Sequence, residues 1–238
     1  MRTSRLLAIA ILLATSVKAQ TVIPMGQFRS IELHSGGSVI VRHGSTQRVT
    51  ILSGDLRCSQ VRLAGGQRLV IENHIHQCPR DHRLQVEVIT PEITAVSVSD
   101  GGTLRADGAF PAQSAIEADV ENDGTIDIRS IAADAVDASV YSGGRIFTNP
   151  RATLAGSVES GGIITYWGDV RVRKSVRDGG IVLRRTPEDA EKAFSDLCPI
   201  APIPPIPPVP PLTIRPHHPA HPPATPPVPV PAENPPLD

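Results

Sequence analysis

Val98-Ser-Asp-Gly-Gly102, Val120-Glu-Asn-Asp-Gly124, Val140-Tyr-Ser-Gly-Gly144, Val158-Glu-Ser-Gly-Gly162 and Val176-Arg-Asp-Gly-Gly180 are five copies of one short phrase. The closing glycines are 22, 20, 18 and 18 residues apart, a period of stacked repeats rather than of a globular sandwich. Aligning on Gly102, Gly124, Gly144, Gly162 and Gly180 produces columns. Four residues before the glycine every copy has Val; two residues after it stand Leu104, Ile126, Ile146, Ile164 and Val182. Two aliphatic, mostly β-branched columns suit strands buried on one face, so each repeat predicts two short strands around a corner. The Asp, Asn, Ser and Gly of the corner tolerate positive φ, and glycine does so without a Cβ clash. Hairpin turns use the same residues, but independent hairpins give no reason for matching columns across five repeats.

Two more columns flank these. The series Val96, Ala118, Ala138, Gly156, Lys174 and the series Ala106, Ile128, Thr148, Tyr166, Arg184 stay uncharged until the last copy, which suits a stack whose final rung faces water and refuses another strand. Upstream, Leu33, Ser35-Gly36-Gly37 and Val39 keep the same offsets. Further strands are expected near residues 49–52, 61–63, 69–72 and 84–90, where apolar and polar residues alternate in a less regular register.

Phe28-x-x-Ile-Glu-Leu-x-Ser-Gly-Gly-Ser-Val-Ile-Val, then Leu84-Gln-Val-Glu-Val-Ile-Thr-Pro91, then the Gly-Gly rungs with Tyr166-Trp-Gly168, resemble the bacterial family of autotransporter adhesin head domains, also called head GIN domains. The likeness runs from about Ile23 to Arg184. It implies an exported β-solenoid, right-handed, with no catalytic residues to carry over. One departure stands out: an autotransporter should end in a membrane β-barrel, and this chain ends in prolines.

Arg2 and Arg5 ahead of the apolar run Leu6 to Ala14, with Val17-Lys18-Ala19 behind it, read as a signal peptide over residues 1–19. The run is short for a membrane span. Without Arg2, Arg5 and Lys18 the chain has 20 basic and 24 acidic residues, a net charge of −4, which invites neither nucleic acid nor an anionic membrane surface. Aromatics make up 3% of the chain, so its core must come from Val, Ile, Leu and Ala. At the other end Thr186-Pro187-Glu188-Asp189 has an N-cap, a proline at the first helical position and acids at the helix N-terminus, predicting a capping helix over 186–198. From Pro199 onward 18 of the 24 prolines fall in 40 residues, a polyproline II tail over 199–238. The expected fold is all-β, a single-stranded β-solenoid over residues 20–185 followed by that cap and tail.

Four residue groups carry chemistry. Cys58 and Cys78 are the favoured disulfide of an exported chain; Cys198 is left over at the domain edge, and spacing does not fix the connectivity. His74, His76 and Cys78, with His82, alternate as zinc ligands on a strand would, but oxidation of Cys78 removes a ligand, so no metal and no cofactor is assigned. Asp100, Asp123 and Asp178 could suggest calcium, but their spacing of about 20 residues is not the nine of calcium-binding β-helices, and Asn122 and Ser142 interrupt them; they read as turn formers. Glu117, Asp119 and Glu121 share an outward face near Asp127, with Tyr141 and Trp167 as candidate sugar platforms. The expected function is an exported, non-catalytic, adhesion-like or structural module of the bacterial envelope, periplasmic or extracellular, whose ligand is an envelope glycan or protein. The alternative is a carbohydrate-active β-helix, which needs those acids and an aromatic to converge in one cleft.

Overall fold

The computed structural model describes residues 20–65, 67–74 and 82–186. All of them lie in the first of two units, Met1–Cys198 and Pro199–Asp238. The described residues are all-β. Seven strands precede the repeats: β1 (Thr21–Ile23), β2 (Ser30–His34), β3 (Ser38–His43), β4 (Arg48–Ser53), β5 (Ser59–Ala64), β6 (Arg68–Asn73) and β7 (Gln85–Thr90). Ten follow in pairs: β8 (Ala95–Ser99) with β9 (Gly102–Asp107), β10 (Gln113–Glu121) with β11 (Gly124–Asp127), β12 (Ala133–Tyr141) with β13 (Arg145–Thr148), β14 (Pro150–Glu159) with β15 (Ile163–Trp167), and β16 (Arg171–Val176) with β17 (Ile181–Arg185).

The strands form two large mixed sheets, in the order β1-β4-β7-β3-β9-β11-β13-β15-β17 and β16-β14-β12-β10-β8-β2-β6-β5. In every repeat the first strand lies in the eight-stranded sheet and the second in the nine-stranded sheet, so each corner crosses between sheets and is not a hairpin. Register follows the sequence columns: Val98, Val120, Val140, Val158 and Val176 are successive parallel partners, as are Leu104, Ile126, Ile146, Ile164 and Val182. Up to the last repeat both columns are buried in a single aliphatic core. Corners pair as well: Asp100 N–H donates to Glu121 O at 3.0 Å and Gly101 N–H to Asn122 O at 2.9 Å, which satisfies backbone groups the turns would otherwise orphan.

Positive φ, which the sequence suggested for the corners, holds at Gly102 (φ 119°) and Gly144 (φ 87°) but does not account for the other three closing glycines. Asp100, Asn122, Asp123, Ser142, Ser160 and Asp178 themselves adopt positive φ, whereas Gly124, Gly162 and Gly180 do not. What excludes a side chain at those three is space. A Cβ on Gly124 would lie 2.5 Å from Val98 Cγ1, and one on Gly180 the same distance from Val158 Cγ1. Gly162 faces Val140 in the same way. The valine of one rung therefore packs into the glycine of the next, and the two columns are one device.

At the N-terminal end chain order and stack order part company. β2 and β3 sit on β8 and β9, with Leu33 opposite Val98 and Val39 opposite Leu104, while β6 and β7 lie on their other side. β4 and β5 then run antiparallel to β7 and β6, a reversed rung that ends the parallel ladders there. Asn73, buried at the end of β6, locks this end: its amide donates to Gly36 O at 2.8 Å while its carbonyl accepts from Ser59 Oγ at 2.8 Å and Leu84 N–H at 2.9 Å. At the far end Lys174 and Arg184 occupy the two flanking columns, and Val176, Ile181 and Leu183 are exposed. The signal peptide, the tail and all of the expected capping helix except Thr186 fall outside the described residues.

Candidate binding face

Outward positions of the eight-stranded sheet alternate with the buried valines, and they too form columns. Seven residues before the closing glycine the partners are Glu117, Asp137, Ala155 and Arg173; five before it, Asp119, Ser139, Ser157 and Ser175; nine before it, Ala115, Ala135, Thr153 and Arg171. A trough of about 810 Å³ lies over these strands, with Glu117 and Asp137 on one side, Arg171 and Arg173 on the other and Thr153 and Ala155 between them. A smaller hollow of about 290 Å³ adjoins it between Asp137, Arg173 and Ser157. Reading the repeat alignment outward as well as inward finds this arrangement; only its acidic edge stood out from β10 alone.

Asp119 is the most perturbed group of the face. Half-burial, then the neighbouring charges of Glu117 and Asp137, push its carboxyl up to about 6, against the pull of the Ser139 hydroxyl. A pKa raised on folding means that the fold favours the protonated form. The stabilisation is complete below the unfolded value of 3.8 and is lost as pH rises through about 6. Asp119→Ser, which extends the serine column, is therefore expected to gain about 1 kcal/mol at pH 7.5, once solvent screening of a half-open site is allowed for. Thermal melts from pH 4 to 8 check this: the gain should shrink to nothing at the acid end, and an equal gain at every pH would remove the carboxylate as its cause.

The other acid and one of the two aromatics expected in the same cleft, Asp127 and Trp167, lie elsewhere. Asp127 is on β11, in the nine-stranded sheet, and its carboxylate takes Arg129 Nη2 at 2.6 Å and Nε at 2.9 Å. The Arg129 guanidinium in turn lies 5.1 Å from the Trp167 ring and 5.6 Å from the Phe147 ring. Tyr141 stays on the eight-stranded face, at the end of β12, and is 52% exposed. Glu117, Asp119 and Glu121 thus share a face with Tyr141 but not with Asp127 or Trp167. The corner between two strands, which swaps sheets, is what separates them.

Near the N-terminal end Asp55, Cys58 and His82 bring one potential ligand atom each to within 4.8 Å of one another. His82 was expected there; Asp55 was not, because its loop meets His82 only through the fold, where Asp55 N–H donates to His82 O at 3.0 Å. Two of the three donors are already engaged. Cys58 is disulfide-bonded, and Asp55 is bound by the Arg57 guanidinium at 2.8–3.1 Å, which with the Arg57 backbone N–H holds its carboxyl down to about 2. His74 N–H donates to Cys58 O at 2.9 Å; His76 and Cys78 lie outside the described residues, as does Cys198. Asp100, Asp123 and Asp178 sit one to a corner; the Asn122 amide donates to Asp100 at 3.0 Å.

Residues 27–115 match the family model described as "Putative auto-transporter adhesin, head GIN domain", in agreement with the resemblance read from the sequence. The match spans the N-terminal rungs and ends within β10. Among solved structures, a putative adhesin from Bacteroides fragilis NCTC 9343 is 14% identical, with a TM-score of 0.48 over 72% of this chain and 98% of that one. A putative adhesin from Parabacteroides merdae ATCC 43184 is 12% identical, with a TM-score of 0.35 over 70% and 95%. A putative cell adhesion protein from Clostridium sporogenes ATCC 15579 is 8% identical, with a TM-score of 0.33 over 71% and 99%. No curated protein matches the sequence. Among the described residues no helix is long and apolar enough to cross a membrane.

Proposed function

We propose, on the premise of that head GIN match, that the chain is an exported, non-catalytic binding module whose β-solenoid head engages a glycan or protein of the bacterial envelope, in the periplasm or outside the cell. The observation that carries this reading is the in-register parallel pairing of β8 to β17. It repeats outward side chains at strand spacing, roughly 4.8 Å, over a buried aliphatic core, as a rigid surface for a repetitive ligand requires. Alternation of successive strands between two sheets supports the solenoid, and we assign it the right-handed sense of parallel crossovers. The test is saturable binding of the mature protein, residues 20–238, to envelope fractions, peptidoglycan and arrayed glycans. Failure to retain any of them would overturn the reading.

A carbohydrate-active role is the second reading, favoured by one observation: Asp119, held near 6 beside Glu117, could donate a proton at mildly acidic pH. New reducing ends released from a bound polysaccharide, and lost in Asp119→Asn, would replace the binding module with an enzyme.

From the sequence alone we propose a capping helix over residues 186–198 and a polyproline II spacer over 199–238 reaching on the order of 120 Å if straight. Deleting 199–238 should leave melting unchanged and shorten the maximum dimension in small-angle scattering; equal dimensions would mean that the tail folds back. For Cys58 we assign Cys78 as the partner. Non-reducing peptide mapping should recover that pair, and its loss should cost roughly 2–4 kcal/mol; a Cys58–Cys198 peptide would overturn the assignment.

A further inference from the structure

The trough on the eight-stranded face has two charged sides that do not neutralise each other. Glu117 and Asp137 are successive partners on β10 and β12, and Arg173 is two strands beyond Asp137, past Ala155. Two strand spacings are roughly 9.6 Å. Among the described residues neither Arg171 nor Arg173 pairs with a carboxylate, although all four charges line the same trough. The strip between the charges, on β14, is small or hydroxyl-bearing: Thr153, Ala155 and Ser157.

We propose that this trough binds an extended glycan carrying both ammonium and carboxylate groups, with the ammonium against Glu117 and Asp137 and the carboxylate against Arg171 and Arg173. The inference rests on the reading of the chain as a binding module and names the ligand chemistry of its face. A ligand of one sign would satisfy one side and be repelled by the other. A peptide strand is disfavoured because the trough lies on the face of a sheet whose backbone groups are already used in the ladders, so it offers no edge for strand addition. The serine and threonine hydroxyls, in contrast, exchange hydrogen bonds with sugar hydroxyls. Their repeat along the stack is of the same order as the length of one pyranose in an extended chain, so successive rungs can meet successive sugars. Tyr141, exposed on the same face, adds an apolar ring on which a sugar can lie.

The probe is an octasaccharide in which pairs of free-amine glucosamine alternate with pairs of glucuronate, so that adjacent ammonium sugars meet Glu117 and Asp137 and a carboxylate two sugars beyond Asp137 meets Arg173; it is titrated calorimetrically into the mature protein at low salt. It is compared with an all-amine chitosan octamer, an all-carboxylate oligogalacturonate, neutral cellooctaose and an extended peptide alternating Lys and Glu. The mixed-charge glycan is expected to bind at least ten-fold more tightly than each of the others, and more weakly as salt is added. Asp137→Arg and Arg173→Asp are each expected to cost ten-fold or more. Because sugars two apart in such a polymer always carry opposite signs, a shift of register lets the double variant Asp137→Arg/Arg173→Asp recover most of the lost affinity, an outcome a merely structural role would not give. Arg48→Glu, exposed on β4 in the other sheet, serves as the control, and melts confirm that each variant is folded. Equal binding of a single-sign glycan, preference for the peptide, or indifference to the charge reversals would overturn the proposal. Glycan binding that persists unchanged through the reversals would leave the binding module standing and remove only the trough.

Discussion

Val140→Asp is expected to leave the mature protein without a cooperative thermal transition, with the circular dichroism of a largely unfolded chain at 25 °C. Val140 is 2% exposed, lies between Val120 and Val158 in the ladder and packs against Gly162 of the next rung. An aspartate there must either ionise in an aliphatic core or take up a proton at neutral pH; each costs several kcal/mol, and the valine burial, worth about 2 kcal/mol, is forfeited too. Total stability of a domain is on the order of 5–15 kcal/mol, so one such charge in the middle of a stack removes most of it. Val176→Asp is the matched control. It puts the same residue in the same column on the terminal strand, where the position is 42% exposed, and should melt within a few degrees of the wild type. Wild-type melting of Val140→Asp would refute the packing of the column, whatever Val176→Asp does.

The two inward columns were legible because each position repeats one physical requirement five times, and a shared glycine fixed the register. The same regularity exposes what the sequence could not reveal. Asn73 and Gln47 look like ordinary polar residues of a strand and a loop, yet Asn73 ties Gly36, Ser59 and Leu84 together. Gln47 does the same for Phe28 and Thr90. Their partners come from distant, unrepeated sequence, so no column marks them. The misplacement of Asp127 has the opposite origin. Glu117 and Asp127 are ten residues apart and look adjacent on one face, but the Gly124 corner between them changes sheets, and β11 turns its outward side chains to the other side of the molecule. The trough is written in the repeat alignment: Glu117, Asp137, Ala155 and Arg173 share one offset from the closing glycine, but as an outward column their identities vary from repeat to repeat and carry no repeated requirement.

The closing glycines yield the sharper test, because Gly144 and Gly162 share a column but differ in backbone conformation. Gly144 has φ of 87° and would place a Cβ 2.9 Å from Gly124 O, besides meeting the Val120 side chain. Gly162 has no positive φ, and its Cβ would meet chiefly the Val140 side chain, with Gly143 O at 3.1 Å. Gly144→Ala therefore combines overpacking with a left-handed backbone that an L side chain resists, about 3 kcal/mol together, and Gly162→Ala involves overpacking alone, about 1–2 kcal/mol. Trimming the opposing valine should separate the two. In Gly162→Ala/Val140→Ala the clash is relieved, so the double variant should be more stable than the sum of the single losses by 1 kcal/mol or more, as coupled neighbours are. In Gly144→Ala/Val120→Ala the backbone strain and the carbonyl contact persist, and the recovery should be smaller. Urea unfolding of the six variants supplies the comparison. Additive losses in both cycles would mean that the valine of one rung does not pack into the glycine of the next, and that the corners are set by backbone conformation alone.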